Sequence, residues 1–286
     1  MVVWNENSDY LTAVEEYLAP IRDTSHYDGM YYVLTDTTRF APILELMVYY
    51  SQIYGKTILD SGCGGGGLIV RLQHYEPAHT VGIEIDPELS RLAKLRLKGI
   101  ENIEIITNDA AIADLPSSTF DHILSVHVVE HVMNATDYLT ETFRLLKPGG
   151  HLYIACPNQL FPYEAHSGIP IINYFPRPIA KAIAGAASRL PLLPGSLRQL
   201  FHTSTLYEHN IHHFRLKRML HGAGFIILEQ DHPRWLLGEL NDRGQFRAKS
   251  WLLNRSEQQQ WYFSSLFSKQ LIAVCQKPSL STALES

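Results

Sequence analysis

The feature that most constrains the fold is a run of five glycines within residues 62–67, directly after a short β-rich segment at residues 56–60. A helical pattern follows at residues 68–75. A strand, a glycine-rich turn and a helix in this order present main-chain N–H groups at a helix N-terminus, where a ligand can approach closely. The segment therefore predicts a ligand-binding loop at the carboxyl end of the first strand.

The alternation of strands and helices continues along most of the chain. Strands that alternate with helices pair in parallel through right-handed crossovers, so the sequence predicts an α/β protein with a doubly wound sheet. The predicted strands lie at 56–60, 80–86, 102–109, 121–126, 151–158, 224–230 and 269–277, and the predicted helices at 11–18, 42–54, 68–75, 87–99, 137–150, 178–190 and near 216–222.

Composition divides the chain into a core and additions. An N-terminal extension (residues 1–54) holds ten of the 30 aromatic residues and is expected to pack as helices on the core. A cap (residues 157–207) holds seven prolines and is too long for an ordinary connection. The predicted catalytic core is therefore residues 55–156 and 208–277, followed by a loose tail at 278–286.

The overall charge and composition exclude several classes of protein. With 24 Lys and Arg against 29 Asp and Glu, the net charge of −5 disfavours a general nucleic-acid binder. No apolar run is long enough for a transmembrane helix, and the N-terminal residues lack the pattern of a secretory signal. The three cysteines show neither metal-ligand spacing nor a disulfide framework. We therefore expect a cytoplasmic protein.

The residues around the glycine run favour one cofactor over another. The glycines match the dinucleotide pattern G-x-G-x-x-G, and Glu84 ends the second strand, where an acid can bind ribose hydroxyls. Asp60 stands directly before the glycines, where its carboxylate would repel a pyrophosphate but attract a cation. S-adenosylmethionine carries a sulfonium and an ammonium, so it fits better than NAD. The alternative is that Asp60 only caps the next helix.

At this point the sequence resembles the class I S-adenosylmethionine-dependent methyltransferases, in particular the type 11/12-like group that contains the ubiquinone-biosynthesis O-methyltransferases. The resemblance covers roughly residues 55–158 and 208–277 and rests on several motifs in the right order. These motifs are "ILDSGCGGGG", "VGIEIDPE", "NDAAIADLP", "FDHILSVHVVEHV", "FRLLKPGGHLYIACPN" and "HHFRLKRMLHGAGFIIL".

The resemblance implies a Rossmann-like fold with seven strands, the last antiparallel, and a set of cofactor contacts. By that match Glu84 binds the ribose hydroxyls, Asp109 reaches the adenine amino group, and Ala110 offers its N–H to the ring. The full set of predicted cofactor-binding residues is Asp60, Gly62, Cys63, Gly64, Gly66, Glu84, Ile85, Asp109, Ala110 and Ser125.

Methyl transfer to a hydroxyl requires a base or a metal, whereas a carboxylate acceptor needs neither. The predicted bases are His131, His127 and, from the cap, His166. The group that the sequence resembles commonly has E-x-x-E-H after the fourth strand, whereas this chain has His127-Val-Val-Glu130-His131. Because a histidine replaces the first acid, we predict no metal. If one were bound, His127, Glu130 and His131 would be its candidate ligands. The alternative is that these residues only brace the turn after the fourth strand.

The segments outside the core are expected to select the acceptor. Residues 160–220 carry a net charge of +5, which leaves −10 for the rest of the chain. This basic segment is a solvated lid, a grip for an acidic substrate, or a transient contact with an anionic membrane surface. The predicted substrate-binding residues are Tyr31, Tyr32, Glu164, His166, His209, His212 and His213.

The sequence thus predicts methyl transfer from S-adenosylmethionine to an oxygen, hydroxyl or carboxyl, of a small metabolite or natural product. The alternatives are N-methylation of a small molecule, an NAD(P)-dependent oxidoreductase on the same sheet, and a non-catalytic subunit that shares the fold. No nucleic-acid partner is expected, and the sequence leaves monomer and dimer both open.

Overall fold

The computed structural model describes residues 8–24, 27–110, 114–162, 171–190, 211–230 and 268–279. These residues form a seven-stranded sheet with helices against its faces, which confirms the predicted doubly wound α/β class. The strands are β1 (Thr57–Ser61), β2 (His79–Glu84), β3 (Ile103–Thr107), β4 (Phe120–Val126), β5 (Leu146–Pro157), β6 (Ile226–Gln230) and β7 (Gln270–Gln276).

The strand order in the sheet is β3-β2-β1-β4-β5-β7-β6. The first five strands pair in parallel, and β7 runs antiparallel between β5 and β6. The chain moves outward from β1 to β2 and β3, then crosses back to β4 on the other side. Such a reversal leaves a crevice outside the carboxyl ends of β1 and β4, which is where open α/β sheets bind ligands.

Eight α-helices accompany the strands in the described part of the chain. Three of them begin with side-chain caps: the carboxylate of Asp86 accepts from the N–H groups of Glu88 and Leu89, Asn134 caps another helix in the same way, and His212 caps a third. The helices are α1 (Ser8–Leu18), α2 (Tyr27–Thr35), α3 (Ala41–Tyr50), α4 (Gly67–Leu72), α5 (Pro87–Arg96), α6 (Ala135–Leu145), α7 (Arg177–Ala187) and α8 (His213–Gly222).

Several predicted helices end too late, two of them by four residues or more, and one helix was not predicted. The helix predicted at 137–150 ends at Leu145, because Leu146 already pairs with Phe120 of β4 and is fully buried. The next paired residue is His151, so residues 147–150 form an irregularity within β5 rather than a stop before it.

The helix predicted at 42–54 ends at Tyr50, because the backbone of Ser51 is extended. The helix α2 was not predicted, although Tyr27, Met30, Tyr31 and Leu34 recur at helical spacing and pack on one cluster with residues of α1.

The helices near the N-terminus lie against the rest of the fold. Among them, α1 contacts both α2 and α5, and the apolar face of α3 covers the sheet in a cluster that includes Leu44, Met47 and Tyr153. The division of the chain into domains stays a prediction, since much of the cap and tail lies outside the described residues. Among the helices that the structure describes, none is long and apolar enough to cross a membrane.

Candidate functional site

The glycine loop follows β1 and has the tight geometry that its composition predicts. Gly62, Gly64 and Gly66 have φ angles of 74°, 52° and 78°, in the left-handed region that favours glycine. A Cβ atom at Gly62 would lie 2.4 Å from a methyl carbon of Val128. At Gly64 a Cβ would meet no atom within 4 Å, so the main chain borders open space there. The loop therefore leaves room for a ligand beside its backbone.

Glu84, at the end of β2, ties this loop to the neighbouring strand. One carboxylate oxygen accepts the N–H of Gly64 at 2.8 Å, and the other accepts the N–H of Asp86 at 2.9 Å. Each oxygen retains a second lone pair, so the carboxylate can also accept hydroxyl groups from a ligand. Ile85 beside it is exposed, which offers an apolar surface at the same edge of the sheet.

Asp60 is a buried acid whose surroundings disfavour its negative charge. The residue is 2% exposed, and its Oδ2 atom has no hydrogen-bond partner. Burial, together with the charge of Glu84, raises the pKa of Asp60 from 3.8 to about 7, while Arg39 acts in the opposite direction. A cationic ligand group would satisfy the orphaned oxygen and lower this pKa again. The residues around the loop therefore fit the sulfonium and ammonium of S-adenosylmethionine.

Arg39 acts on the charge of Asp60, although no motif in the sequence predicts it. It lies between α2 and α3, with its guanidinium carbon 4.2 Å from the centroid of the Phe40 ring. Burial lowers the pKa of Arg39, and the charge of Asp60 raises it, so the two groups share one electrostatic environment. Only the fold brings these residues together, because no local pattern links an arginine before α3 to the end of β1.

Two of the predicted cofactor residues direct their side chains into the core. Cys63 packs with Ile69 and Ala93, and burial raises the pKa of its thiol. Ser125 is fully buried, and its hydroxyl accepts a hydrogen bond of 2.8 Å from the hydroxyl of Tyr138. Any contact of Cys63 or Ser125 with a ligand is therefore restricted to the main chain.

The predicted adenine-binding residues follow β3. The N–H of Asn108 donates to the carbonyl of Glu84 at 3.1 Å, and the N–H of Asp109 donates to the side chain of Asn108 at 2.8 Å. Asp109 and Ala110 are both half-buried. They therefore lie beside Glu84 at the carboxyl edge, while the segment at 111–113 lies outside the described residues.

The predicted catalytic residues form a cluster directly after β4. His127 has a φ of 60°, rare for a residue with a Cβ, and its N–H is held by the carbonyl of Ala155 at 2.8 Å. Its Nδ1 atom lies 3.3 Å from Oε1 of Glu130, and its Nε2 atom lies 2.9 Å from the amide nitrogen of Gln270. His127 is therefore fixed on both sides of its ring.

Glu130 is the buried centre of this cluster. It is 1% exposed, and its Oε2 atom has no hydrogen-bond partner. The Nε2 atom of His131 lies 3.9 Å from Oε1 of Glu130, and the side chains of His127 and His131 are 32% and 50% exposed. Within the described ranges, no group of three or more His, Cys, Asp or Glu side chains is arranged to hold a metal ion.

The structure gives three of the predicted substrate-binding residues a structural contact. Tyr31 stacks on Tyr27 with ring centroids 5.9 Å apart. The Nδ1 atom of His212 caps α8 by accepting the N–H of Arg215 at 3.3 Å. His213 is 3% exposed, and its carbonyl accepts from the side chain of Gln230 at 3.0 Å.

These contacts give His212 and His213 a structural role, and their substrate roles stay predictions. Tyr32 is exposed, its charge acts on Arg39, and its substrate role stays a prediction as well. The remaining predicted residues, Glu164, His166 and His209, lie outside the described residues.

Comparison with known proteins identifies the core. The family described as "Methyltransferase domain" matches residues 59–154, which include the glycine loop and the first five strands. An O-methyltransferase of ubiquinone biosynthesis from Xylella fastidiosa is 37% identical over 112 residues, which is 38% of this chain and 44% of that protein. The same enzyme from Xanthomonas oryzae is 31% identical over 147 residues, 50% of this chain and 54% of its own length.

The chain thus spans about half the length of these relatives. A solved structure agrees in fold: an S-adenosylmethionine-dependent methyltransferase from Mesorhizobium loti aligns over 85% of this chain and 98% of its own, with a TM-score of 0.58 and 14% identity. At this identity the likeness concerns the fold alone.

Proposed function

We propose that this chain, which belongs to the class I S-adenosylmethionine-dependent methyltransferases, transfers a methyl group to an oxygen atom of a small organic molecule. The observation that carries the proposal is Asp60, whose buried Oδ2 atom lacks a partner at the end of β1. A fold that keeps a carboxylate in this position needs a cation there, and a dinucleotide would bring a pyrophosphate instead.

The residues at the carboxyl edge suit the parts of S-adenosylmethionine. Asp60 attracts the ammonium and sulfonium, Glu84 accepts the ribose hydroxyls, and Asp109 with Ala110 holds the adenine ring. Arg39 supplies the cation that pairs with the carboxylate of the methionine tail, because its guanidinium shares the environment of Asp60. When bound, the cofactor supplies an electrophilic methyl group on a sulfonium. The protein must then align the acceptor and remove its proton.

Proton removal is the task of the cluster after β4. We assign the removal of the acceptor's proton to His131, the more exposed imidazole. Glu130, whose Oε1 atom lies 3.9 Å from Nε2 of His131, stabilises the positive charge that results. His127 holds Glu130 from the other side at 3.3 Å. The carboxylate of Glu130 therefore lies between the two imidazoles, close to the place where a proton taken from a hydroxyl acceptor would arrive.

The names of the ubiquinone relatives support oxygen as the acceptor atom, since both are described as O-methyltransferases. The identity of the acceptor is a separate matter, because the N-terminal extension and the cap lie outside the matched domain. The cytoplasmic location stays a prediction.

The test is methyl transfer from isotope-labelled S-adenosylmethionine to a panel of phenols, catechols, carboxylic acids and amines, followed by mass spectrometry. We expect turnover with a hydroxyl or carboxyl acceptor. With a hydroxyl acceptor, His131→Ala should lower the rate at neutral pH by about 10²-fold or more while cofactor affinity is kept. The control is His74→Ala, which changes an exposed histidine in the short 3-10 turn after α4.

Three results would overturn parts of this proposal. A parent-like rate in His131→Ala would make His131 structural. Cofactor binding without turnover on any acceptor would indicate a non-catalytic subunit. Binding of NAD(P) in place of S-adenosylmethionine would indicate an oxidoreductase.

A further inference from the structure

Arg96, the last residue of α5, joins the cofactor loop to the N-terminal extension. Its Nη1 atom lies 2.9 Å from the carbonyl of Leu34, 3.0 Å from the hydroxyl of Tyr10 and 3.3 Å from the carbonyl of Gly65. Its guanidinium carbon is also 4.4 Å from the centroid of the Tyr10 ring. One cation thus contacts α1, α2 and the glycine loop at a single point.

The contact is closed by a second hydrogen bond and by close packing. The hydroxyl of Tyr10 donates to the carbonyl of Leu34 at 2.8 Å, and Tyr10 is fully buried. A Cβ atom at Gly65 would lie 2.9 Å from this hydroxyl, and a Cβ at Gly67 would lie 3.1 Å from the ring of Phe40. There is therefore little room for a side chain at Gly65 and Gly67, because the N-terminal extension lies against them.

The same contact determines where Arg39 stands. Leu34 lies near the end of α2, and Arg39 follows five residues later in the chain. Between them Asp36 accepts the N–H and the hydroxyl of Thr38 at 2.8 and 2.6 Å, which fixes the turn. A cation that holds Leu34 against the glycine loop therefore also holds the segment that carries Arg39, whose charge and that of Asp60 act on each other.

We propose that Arg96 is a positioning residue that makes the N-terminal extension one wall of the cofactor site and places Arg39 beside the amino-acid tail of the cofactor. This inference rests on the proposed function. The charge of Arg96 also lowers the pKa of Arg39, so the two cations repel each other. A ligand carboxylate at Arg39 relieves that repulsion, as expected for a site that binds a zwitterionic tail.

The test compares two ligands that differ only in this tail. S-adenosylhomocysteine carries the amino acid, and 5′-methylthioadenosine lacks it. In Arg96→Met, we expect affinity for S-adenosylhomocysteine to fall at least about tenfold and affinity for 5′-methylthioadenosine to change less than about threefold. Arg39→Met should show the same pattern, and the double variant should bind no more weakly than Arg39→Met alone.

The controls separate positioning from general stability. Arg91→Met removes an exposed arginine of the same helix, which pairs with Glu88 at 3.0 Å, and should leave both affinities unchanged. Arg96→Lys keeps the charge without the forked donors and should restore part of the affinity. If Arg96→Met does not fold, Tyr10→Phe and Gly65→Ala disturb the same contact more mildly and should produce the same selective loss.

The inference fails if Arg96→Met binds S-adenosylhomocysteine like the parent, or if both ligands weaken equally. It also fails if the effects of the two arginine variants simply add. Absence of S-adenosylhomocysteine binding in the parent chain would overturn the proposed function first, and this inference with it. Parent binding with an unaffected variant overturns the inference alone.

Discussion

Replacing Asp60 by asparagine should stabilise the ligand-free protein and abolish its binding of S-adenosylmethionine. The carboxylate is 2% exposed with an unpartnered oxygen, and its pKa rises from 3.8 to about 7 because burial and Glu84 disfavour the charge. Asparagine keeps the shape and removes the charge. Proteins often keep a binding-site residue that lowers the stability of the fold, because function requires it.

The sign and size follow from proton linkage. A folded-state pKa above the unfolded value means that the folded state holds its proton more tightly, so stability falls as pH rises from 3.8 to about 7. At about 1.4 kcal/mol per pH unit, the penalty reaches at most about 4 kcal/mol above pH 7. Since the site is open to a ligand and to water, we expect Asp60→Asn to gain about 1–3 kcal/mol at pH 8.

Urea unfolding of parent and variant at about pH 5 and pH 8 measures this difference, and the gain at the lower pH should be less than half of that at the higher. Added S-adenosylhomocysteine should stabilise only the parent, because its ammonium needs the carboxylate. If Asp60→Asn is no more stable than the parent at pH 8, or if its gain in stability is independent of pH, the buried charge of Asp60 does not destabilise the protein.

Two further predictions concern the folding of the core. Gly62→Ala should destabilise the protein by about 2 kcal/mol or more, measured by urea unfolding, because its Cβ would lie 2.4 Å from Val128 at a positive φ; Gly99→Ala, also at positive φ but with no atom within 4 Å, should lose less. Burial lowers the pKa of His122 to about 4, so His122 stays neutral in the folded protein while the unfolded chain takes up a proton, and stability falls as pH drops from about 6.5 to 4. We therefore expect His122→Phe to lose less stability than the parent over that interval, and an identical loss would show that the fold does not lower the pKa of His122.

The strands could be predicted from the sequence because each is a short apolar run bounded by glycine, proline or polar residues. The start of β5 could not, since Lys147 to Gly150 has the composition of a turn, and only the pairing of Leu146 with Phe120 shows that the strand has already begun. The ligand-binding edge was equally predictable, because a glycine run after a strand leaves few alternatives.

Other parts of the site depend on contacts between distant segments. The charges of Arg39 and Asp60 act on each other only in the folded chain, and Arg96 at the end of α5 likewise reaches the carbonyl of Gly65 only there. The capping role of His212 could be recognised only with the start of α8 known, and its substrate role stays a prediction. Local patterns thus predicted where a ligand binds and missed the residues that complete its walls.

The central claim is that the carboxyl edge of β1 and β2 binds S-adenosylmethionine through the acids Asp60 and Glu84. Calorimetric titration of the parent chain and of Asp60→Ala with S-adenosylhomocysteine, and separately with NAD, tests it most directly. We expect the parent to bind S-adenosylhomocysteine at one site and Asp60→Ala not to bind it. We expect neither protein to bind NAD. Binding of NAD by the parent, or undiminished binding of S-adenosylhomocysteine by Asp60→Ala, would contradict it.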